Sequence, residues 1–217
     1  MGFEDYKDLV GTCAMITTMG QMLSGTLICK DIYKQGTSKG TDPMPFIGGI
    51  GMCILMLRYA FVVGDPIMIN VNVFGVATNV AYMAVYYLFS PDKLGTLAQL
   101  AKATAFVAIC LGYAQIEKEE HLEFRYGVLT TGLLLALIAS PLIHLGEIIR
   151  TKSTAILPFP LILMGTLVSF QWLLYGLIIN DAFIIFQNAV GFTLSAAQLS
   201  LFAIYPSTPV KADKKEK

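Results

Sequence analysis

Five long stretches of this 217-residue chain contain no charged residue. A helix needs roughly 20 consecutive apolar residues to cross a bilayer core, and each of the five stretches is long enough. Only 14% of the residues are charged, whereas a soluble domain carries about 25%, so little polar surface remains to cover a water-soluble globule. The stretches therefore predict transmembrane helices. They are residues 9–29, 66–91, 126–146, 153–180 and 182–210.

Two weaker spans each contain one basic residue. Residues 43–64 are interrupted by Arg58, and residues 94–116 by Lys102. With these two, the sequence predicts an all-α membrane protein of seven transmembrane helices. The alternative, a soluble protein with a large buried helical core, would leave almost no residues to face water.

Basic residues are distributed unevenly between the two sets of loops. The side reached after the first, third, fifth and seventh spans holds ten of them, and the other side holds Lys7, Lys118 and Arg125. Lysine and arginine in short loops favour the cytoplasm. The N-terminus is therefore predicted to lie outside or in a lumen, and the C-terminus in the cytosol. The ten are Lys30, Lys34, Lys39, Lys93, Arg150, Lys152, Lys211, Lys214, Lys215 and Lys217.

The chain also repeats itself with an offset of 116 residues. Tyr59, Asp65, Asn72 and Gly75 recur as Tyr175, Asp181, Asn188 and Gly191. Helices 1–3 and 5–7 are thus copies, and the extra helix between them lets the copies run parallel. The predicted fold is two parallel three-helix bundles joined by a linker helix (3+1+3). Its parts are a first repeat (residues 1–92), the linker helix and outer loop (93–125), a second repeat (126–206) and a cytosolic tail (207–217).

The matched asparagines are the strongest candidates for a binding site. Asn72 and Asn188 lie at depth in their spans, and a carboxamide offers donors and an acceptor that suit sugar hydroxyls. The alternative for a membrane asparagine is a helix–helix contact worth about 1–2 kcal/mol or less. Trp172 could offer an apolar face to a sugar ring or act as an interfacial anchor. The position equivalent to Trp172 in the first repeat is Met56.

Two further sets of residues suggest gates at opposite ends of the spans. Proline and glycine weaken helices, so Gly25, Pro45, Pro141 and Pro158 are predicted to form an inner gate or hinge. Passive kinks are the alternative. At the outer end, Tyr59, Asp65, Tyr175 and Asp181 are candidates for an outer gate closed by hydrogen bonds between repeats. Transport would then proceed by alternating access, with one repeat rocking against the other.

The spans contain almost no ionisable residue at mid-membrane depth, where such residues usually mark ion or proton pathways. This absence favours a neutral cargo that moves down its own gradient. A transporter of another small neutral solute is the nearer alternative, and a seven-helix receptor a remote one. No nucleophile and base, and no metal cluster, can be assembled from these spans, so neither an enzyme nor a cofactor is expected. With zero net charge, no nucleic-acid partner is indicated.

From about Asp5 to Pro206 the chain resembles the SWEET (MtN3/saliva) family of sugar transporters, a standard example of parallel membrane repeats. The resemblance implies facilitated, bidirectional transport of mono- or disaccharides such as glucose, with Asn72, Asn188 and Trp172 lining the pocket. It also implies gating prolines at the inner mouth and allows for homo-oligomers. The motifs that carry it are Pro45-Phe46, Tyr59, Asn72-x-x-Gly75, Ser140-Pro141, Lys152-Ser153, Pro158-Phe159, Trp172, Tyr175-Gly176, Asp181, Asn188 and Tyr205-Pro206.

The chain departs from the plant members of that family and looks more like an animal member. Gly25 stands where a proline is usual, Arg58 where plant members often have tryptophan, and Met56 where they have a small polar residue. The C-terminal Lys214-Lys215-Glu216-Lys217 resembles a dilysine retrieval signal, though a solvated basic tail is equally consistent. The predicted location is accordingly the plasma membrane, the Golgi and early secretory membranes, or both.

Overall fold

A computed structural model describes residues 3–154, 157 and 159–205, and for residues 3–4 and 139–151 it describes the backbone alone. Every regular element in this part of the chain is helical. Five of the helices, α3, α4, α5, α7 and α8, are long and apolar enough to cross a membrane. The elements are a 3₁₀ turn (Phe3–Tyr6), α1 (Lys7–Met22), α2 (Gly25–Gln35), α3 (Met44–Val63), α4 (Pro66–Leu88), α5 (Lys93–Ile116), α6 (Glu119–Thr151), α7 (Phe159–Ile179) and α8 (Ala182–Ile204).

The helices follow the predicted spans, and the main differences are at the first and fifth spans. The first span is not one helix, because α1 ends at Met22 and α2 begins at Gly25. The fifth span begins earlier than expected, since α6 starts at Glu119, in a segment that the sequence placed in an outer loop. Glu119 and Glu120 lie in the first turn of α6, where negative charges stabilise the positive end of the helix dipole.

The chain divides into two compact units, which we call the N-terminal unit (Gly11–Leu133) and the C-terminal unit (Met1–Val10 with Leu134–Lys217). In the N-terminal unit, α3 packs against α4 and α5, and α2 packs against α4. A buried cluster lies where α2, α3 and α4 meet. Its members are Cys29, Ile32, Phe46, Ile47, Tyr82, Met83 and Tyr86.

In the C-terminal unit the main packing is between α7 and α8, and the N-terminal 3₁₀ turn also contacts α7. Two aromatic pairs join α7 to α8. The ring centroids of Phe159 and Phe202 lie 5.0 Å apart in an edge-to-face arrangement, and those of Phe170 and Phe192 lie 5.6 Å apart. Such pairs each stabilise a contact by about 0.5–1.5 kcal/mol beyond the area they bury.

The same turn joins α3 to α4 and α7 to α8. Gly64 (φ 76°) and Asn180 (φ 56°) both adopt the left-handed conformation that ends a helix, and each is followed by an aspartate. The aspartate side chain accepts backbone N–H bonds at the start of the next helix, as is typical of an N-cap. This turn sets the start of α4 and α8, and therefore the depth of Asn72 and Asn188 about two turns later.

Candidate functional site

The two candidate asparagines have the same local geometry. Asn72 Nδ2 donates a 2.8 Å hydrogen bond to the carbonyl of Met68, and Asn188 Nδ2 donates a 2.8 Å bond to the carbonyl of Ile184. Neither amide makes a further hydrogen bond to a described residue. The bond to the preceding turn fixes each half-buried carboxamide, and it leaves Oδ1 and the second N–H for a ligand.

One turn beyond each asparagine, a glycine makes room for a small polar side chain. A Cβ atom on Gly75 would lie 2.5 Å from Cys53 Sγ, and one on Gly191 would lie 3.1 Å from Ser169 Oγ. Cys53 and Ser169 are themselves separated by 116 residues, so the repeat preserves this contact. Neither position was predicted from the sequence as part of the site. The repeat offset could have revealed them, since it aligns two small polar residues on α3 and α7.

Polar residues continue along the same face of α4 and α8. We call Asn72, Asn79 and Tyr82, and their equivalents Asn188, Ser195 and Gln198, the polar stripes; their spacing of seven and ten residues keeps them on one helix face. In the C-terminal unit the stripe borders a cavity of about 330 Å³. The cavity is lined by Leu137, Ile138, Gly165, Ser169, Gly191, Leu194, Ser195 and Gln198.

Trp172 is buried, with 9% of its surface exposed. Its ring meets that of Tyr175 edge to face, with centroids 5.6 Å apart. Both roles predicted for Trp172, interfacial anchor and pocket lining, stay predictions. Met56, the equivalent position on α3, is half-buried.

The four residues of the predicted outer gate are buried at the ends of α3, α4, α7 and α8. Tyr59 and Tyr175 have no exposed surface, and Asp65 and Asp181 are 4% and 9% exposed. Asp65 Oδ1 accepts a 2.9 Å bond from the Met68 amide, while Asp181 Oδ1 accepts bonds of 2.9 Å and 3.0 Å from the Phe183 and Ile184 amides. Both aspartates thus act as helix caps, a role that the sequence analysis did not assign to them.

The residues of the predicted inner gate have different local roles. Gly25 begins α2, directly after the break in the first span. Pro45 lies in the first turn of α3, where its missing N–H removes no helical bond, so it creates no kink. The kink that was expected at Pro45 does not occur because α3 starts one residue before it, and its part in an inner gate stays a prediction. Pro158 and the side chain of Pro141 lie outside the described residues.

A polar cluster ties the end of α5 to the start of α6. Glu117 accepts a 2.6 Å bond from the Tyr113 hydroxyl and bonds of 3.0 Å and 3.1 Å from Arg125 Nη1. These donors, the Tyr113 hydroxyl first and then the guanidinium, lower the pKa of Glu117 from 4.5 to about 2. The cluster therefore holds the linker helix to α6 through an ionised carboxylate.

Comparison with known proteins identifies the family. A family model described as a sugar efflux transporter for intercellular exchange matches residues 8–94 and again residues 124–210. The chain belongs to the SWEET family. A sugar transporter SWEET1 of Drosophila pseudoobscura is 34% identical over 202 residues, which cover 92% of this chain and 89% of the fly protein. The bidirectional sugar transporter SWEET9 of Arabidopsis thaliana is 31% identical, over 91% of this chain and 78% of the plant protein.

A solved structure agrees with this family assignment. A eukaryotic SWEET transporter superposes with a TM-score of 0.85 at 26% identity, covering 95% of this chain and 99% of the other. The predicted all-α fold, with seven transmembrane helices in a 3+1+3 arrangement, is thereby confirmed, and the chain is a multi-pass membrane protein. Fly and nematode SWEET1 proteins, at 34% and 31% identity, agree with the prediction of an animal-type SWEET.

Proposed function

We propose that this protein is a facilitative, bidirectional uniporter of neutral sugars that works by alternating access. The observation that carries the proposal is the matched pair Asn72 and Asn188, each tethered by one N–H and open at its Oδ1 and second N–H. Relatives at 31–34% identity are named sugar transporters. They are transporters rather than enzymes, in keeping with the prediction from the sequence.

The substrate chemistry follows from the groups near the two asparagines. A carboxamide that both donates and accepts can pair with adjacent hydroxyls of a pyranose ring. The buried ring of Trp172 offers an apolar face, and Met56 offers a flexible thioether at the matching position. Cys53 and Ser169, which contact the glycines one turn away, are the side chains we expect to tune which sugar is preferred.

The uniport mode rests on charge. The uncharged stretches that contain Asn72 and Asn188 place no carboxylate or basic group at mid-membrane depth. A proton- or ion-coupled transporter needs such a group to carry the coupled charge. Movement of a neutral, glucose-like sugar down its own gradient requires none.

We further propose the topology and location that the charge distribution favours. The N-terminus lies outside or in a lumen, the C-terminus in the cytosol, and the protein works in the plasma membrane, in Golgi and early secretory membranes, or in both. Tyr59, Asp65, Tyr175 and Asp181 form the outer gate. Gly25, Pro45, Pro141 and Pro158 form the inner one. Homo-oligomers in the bilayer are compatible with this scheme.

The proposed domains place the two repeats at residues 1–92 and 126–206. The linker helix and outer loop occupy residues 93–125, and a cytosolic tail follows at residues 207–217. The two matched segments, residues 8–94 and 124–210, support this division into repeats.

Sugar uptake into proteoliposomes tests the function directly. Radiolabelled glucose should equilibrate across the membrane without any ion gradient, and preloaded unlabelled glucose should accelerate its entry. Asn188→Ala should abolish uptake, whereas Asn70→Ala, on the exposed face of the same helix as Asn72, should not. If folded protein carries no glucose, fructose or sucrose, the sugar proposal is wrong and another small neutral solute becomes the substrate class to test.

A further inference from the structure

The first membrane span is broken between α1 and α2, and its backbone bonds show how. The amides of Thr26 and Leu27 donate to the carbonyls three residues earlier, Leu23 at 3.0 Å and Ser24 at 3.1 Å, instead of four residues earlier. The Met22 carbonyl therefore loses its usual donor, the Thr26 amide. Inside a bilayer a free carbonyl is costly, so a break of this kind requires a replacement donor.

Tyr82 supplies that donor from α4. Its hydroxyl donates a 3.2 Å hydrogen bond to the Met22 carbonyl and lies 3.1 Å from Thr26 Oγ1, which can donate to it in turn. The side chain is 9% exposed, and its ring packs 5.8 Å from the ring of Phe46 in the buried cluster. The hydroxyl is thus held at the break by a ring that packs in the buried cluster.

Gly25 is what lets the ring reach the break. A Cβ atom at Gly25 would lie 2.5 Å from Cε2 and 2.7 Å from Cδ2 of Tyr82. Alanine or proline at this position would therefore push the ring away. In the second repeat the equivalent pair is Pro141 and Gln198, and Gln198 borders the cavity beside Leu137 and Ile138, in the turn before Pro141.

We propose that Tyr82 is a positioning residue for the hinge of the first helix, where its hydroxyl and Gly25 together replace a hinge proline. While the hydroxyl holds the Met22 carbonyl, the break persists. When the hydroxyl moves away, the Thr26 amide can return to that carbonyl and the helix straightens. The hinge therefore has two states. Exchange between them is a step of alternating access, so this inference rests on the proposed function.

Hydrogen exchange tests the bond between the Tyr82 hydroxyl and the Met22 carbonyl, and it requires no transport assay. In full-length protein in nanodiscs, Tyr82→Phe should slow the exchange of the amides at residues 23–27 by about fivefold, because the Thr26 amide can then return to the Met22 carbonyl. Faster exchange would contradict the proposal. Tyr86→Phe removes a hydroxyl from the same buried cluster and should leave these amides unchanged. Gly25→Ala, which displaces the ring, should reproduce the Tyr82→Phe effect, with Gly20→Ala as its control because nothing lies within 4 Å of Gly20. Equal rates in Tyr82→Phe and Tyr86→Phe would overturn the proposal.

A transplant of the second repeat's pair adds a test of mechanism. Gly25→Pro and Tyr82→Gln should each slow glucose uptake, whereas the double variant should recover to within about twofold of the wild-type rate, because each change removes the defect of the other. If the double variant lowers the uptake rate by the product of the two single-variant factors, the two residues act independently and the paired hinge is contradicted. If the wild-type protein carries no sugar, the proposed function is wrong. The hydrogen-exchange experiment still tests whether the Tyr82 hydroxyl holds the break.

Discussion

The two units share a turn and an asparagine but differ in the side chains that follow the asparagine along α4 and α8. In the N-terminal unit, Asn79 donates to the Gly75 carbonyl and packs on Gly49, and Tyr82 fills the space at the break. The equivalent residues of the C-terminal unit are Ser195 and Gln198, and there a cavity of about 330 Å³ remains. The same backbone plan therefore carries Asn79 and Tyr82 in one unit, and Ser195 and Gln198 beside a cavity in the other.

This difference indicates which positions the repeat has kept and which it has changed. The left-handed turn, the aspartate cap, the asparagine and the glycine after it recur in both copies, and together they fix the depth and orientation of a carboxamide. The residues that differ, Asn79 against Ser195 and Tyr82 against Gln198, lie farther along the helix. We infer that both copies contribute the same chemistry to the substrate. Their first helices differ, since that of the first repeat is broken between Met22 and Gly25 and that of the second, α6, is continuous.

The largest expected difference between the units is at the conserved glycines. Gly75→Ala should destabilise the protein by about 1–3 kcal/mol, because its Cβ would lie 2.5 Å from Cys53 Sγ. Gly191→Ala should be nearly neutral, since the 3.1 Å approach to Ser169 Oγ needs only a small shift that the better helix propensity of alanine offsets.

Thermal unfolding in detergent measures both glycine variants, with Gly112→Ala as the control because nothing lies within 4 Å of that glycine. The double variant Cys53→Ala with Gly75→Ala should regain most of the lost stability. Equal losses in the two units would contradict the asymmetry that the contacts imply.

Exchanging the stripe residues should make one unit resemble the other. Asn79→Ser removes the 2.8 Å bond to the Gly75 carbonyl and opens space at Gly49, so stability should fall by about 1 kcal/mol. Ser195→Asn should fill part of the cavity and slow transport while leaving stability unchanged or higher. Ser200→Asn, on the exposed face of α8, controls for the added amide. Normal transport by folded Ser195→Asn would show that the cavity is not needed.

The helix caps should differ less. Asp65→Ala and Asp181→Ala each remove an N-cap and should cost about 1 kcal/mol in thermal unfolding. The two losses should be similar, because each carboxylate accepts backbone N–H bonds at the start of the next helix. Asparagine at either position keeps the accepting oxygen and should restore stability. If the asparagine variants lose as much stability as the alanine variants, the stability comes from the negative charge and not from the capping hydrogen bonds.

The smallest effect is expected at the polar cluster that joins α5 to α6, which is not part of either polar stripe. The pKa of Glu117 is lowered from 4.5 to about 2, so its ionised form stabilises the fold above pH 4.5, and this contribution is lost as the pH falls toward 2. Glu117→Gln should lower the melting temperature slightly and by the same amount from pH 7 to 5. Below pH 5 the difference in melting temperature between this variant and the wild type should shrink. Glu123→Gln, exposed on the first turns of α6, should show no such gap.

Much of the fold could be predicted from sequence because a bilayer imposes simple demands. Length and absence of charge located the spans, and the offset of 116 residues gave the parallel repeats. The break between Met22 and Gly25 could not be placed from the same information. It depends on a hydroxyl 60 residues away, and such a contact leaves no trace in local helix propensity.

The candidate site was predictable only where the repeat marked it. Asn72 and Asn188 stood out because both copies carry them at the same depth. Cys53 and Ser169 share the offset but differ in identity, so only the contact with Gly75 and Gly191 draws attention to them. The capping role of Asp65 and Asp181 followed from where helices begin, which hydropathy does not resolve.

A double-mutant cycle on sugar counterflow tests the central claim most directly. Wild type, Asn72→Ala, Asn188→Ala and the double variant would be reconstituted at equal protein density and compared in glucose counterflow. If both carboxamides hold the same sugar, each single variant should lose at least about tenfold in rate, and the double variant should lose little more than either, because the groups act as a unit. Wild-type counterflow in either single variant would contradict the account and place the sugar elsewhere in the protein.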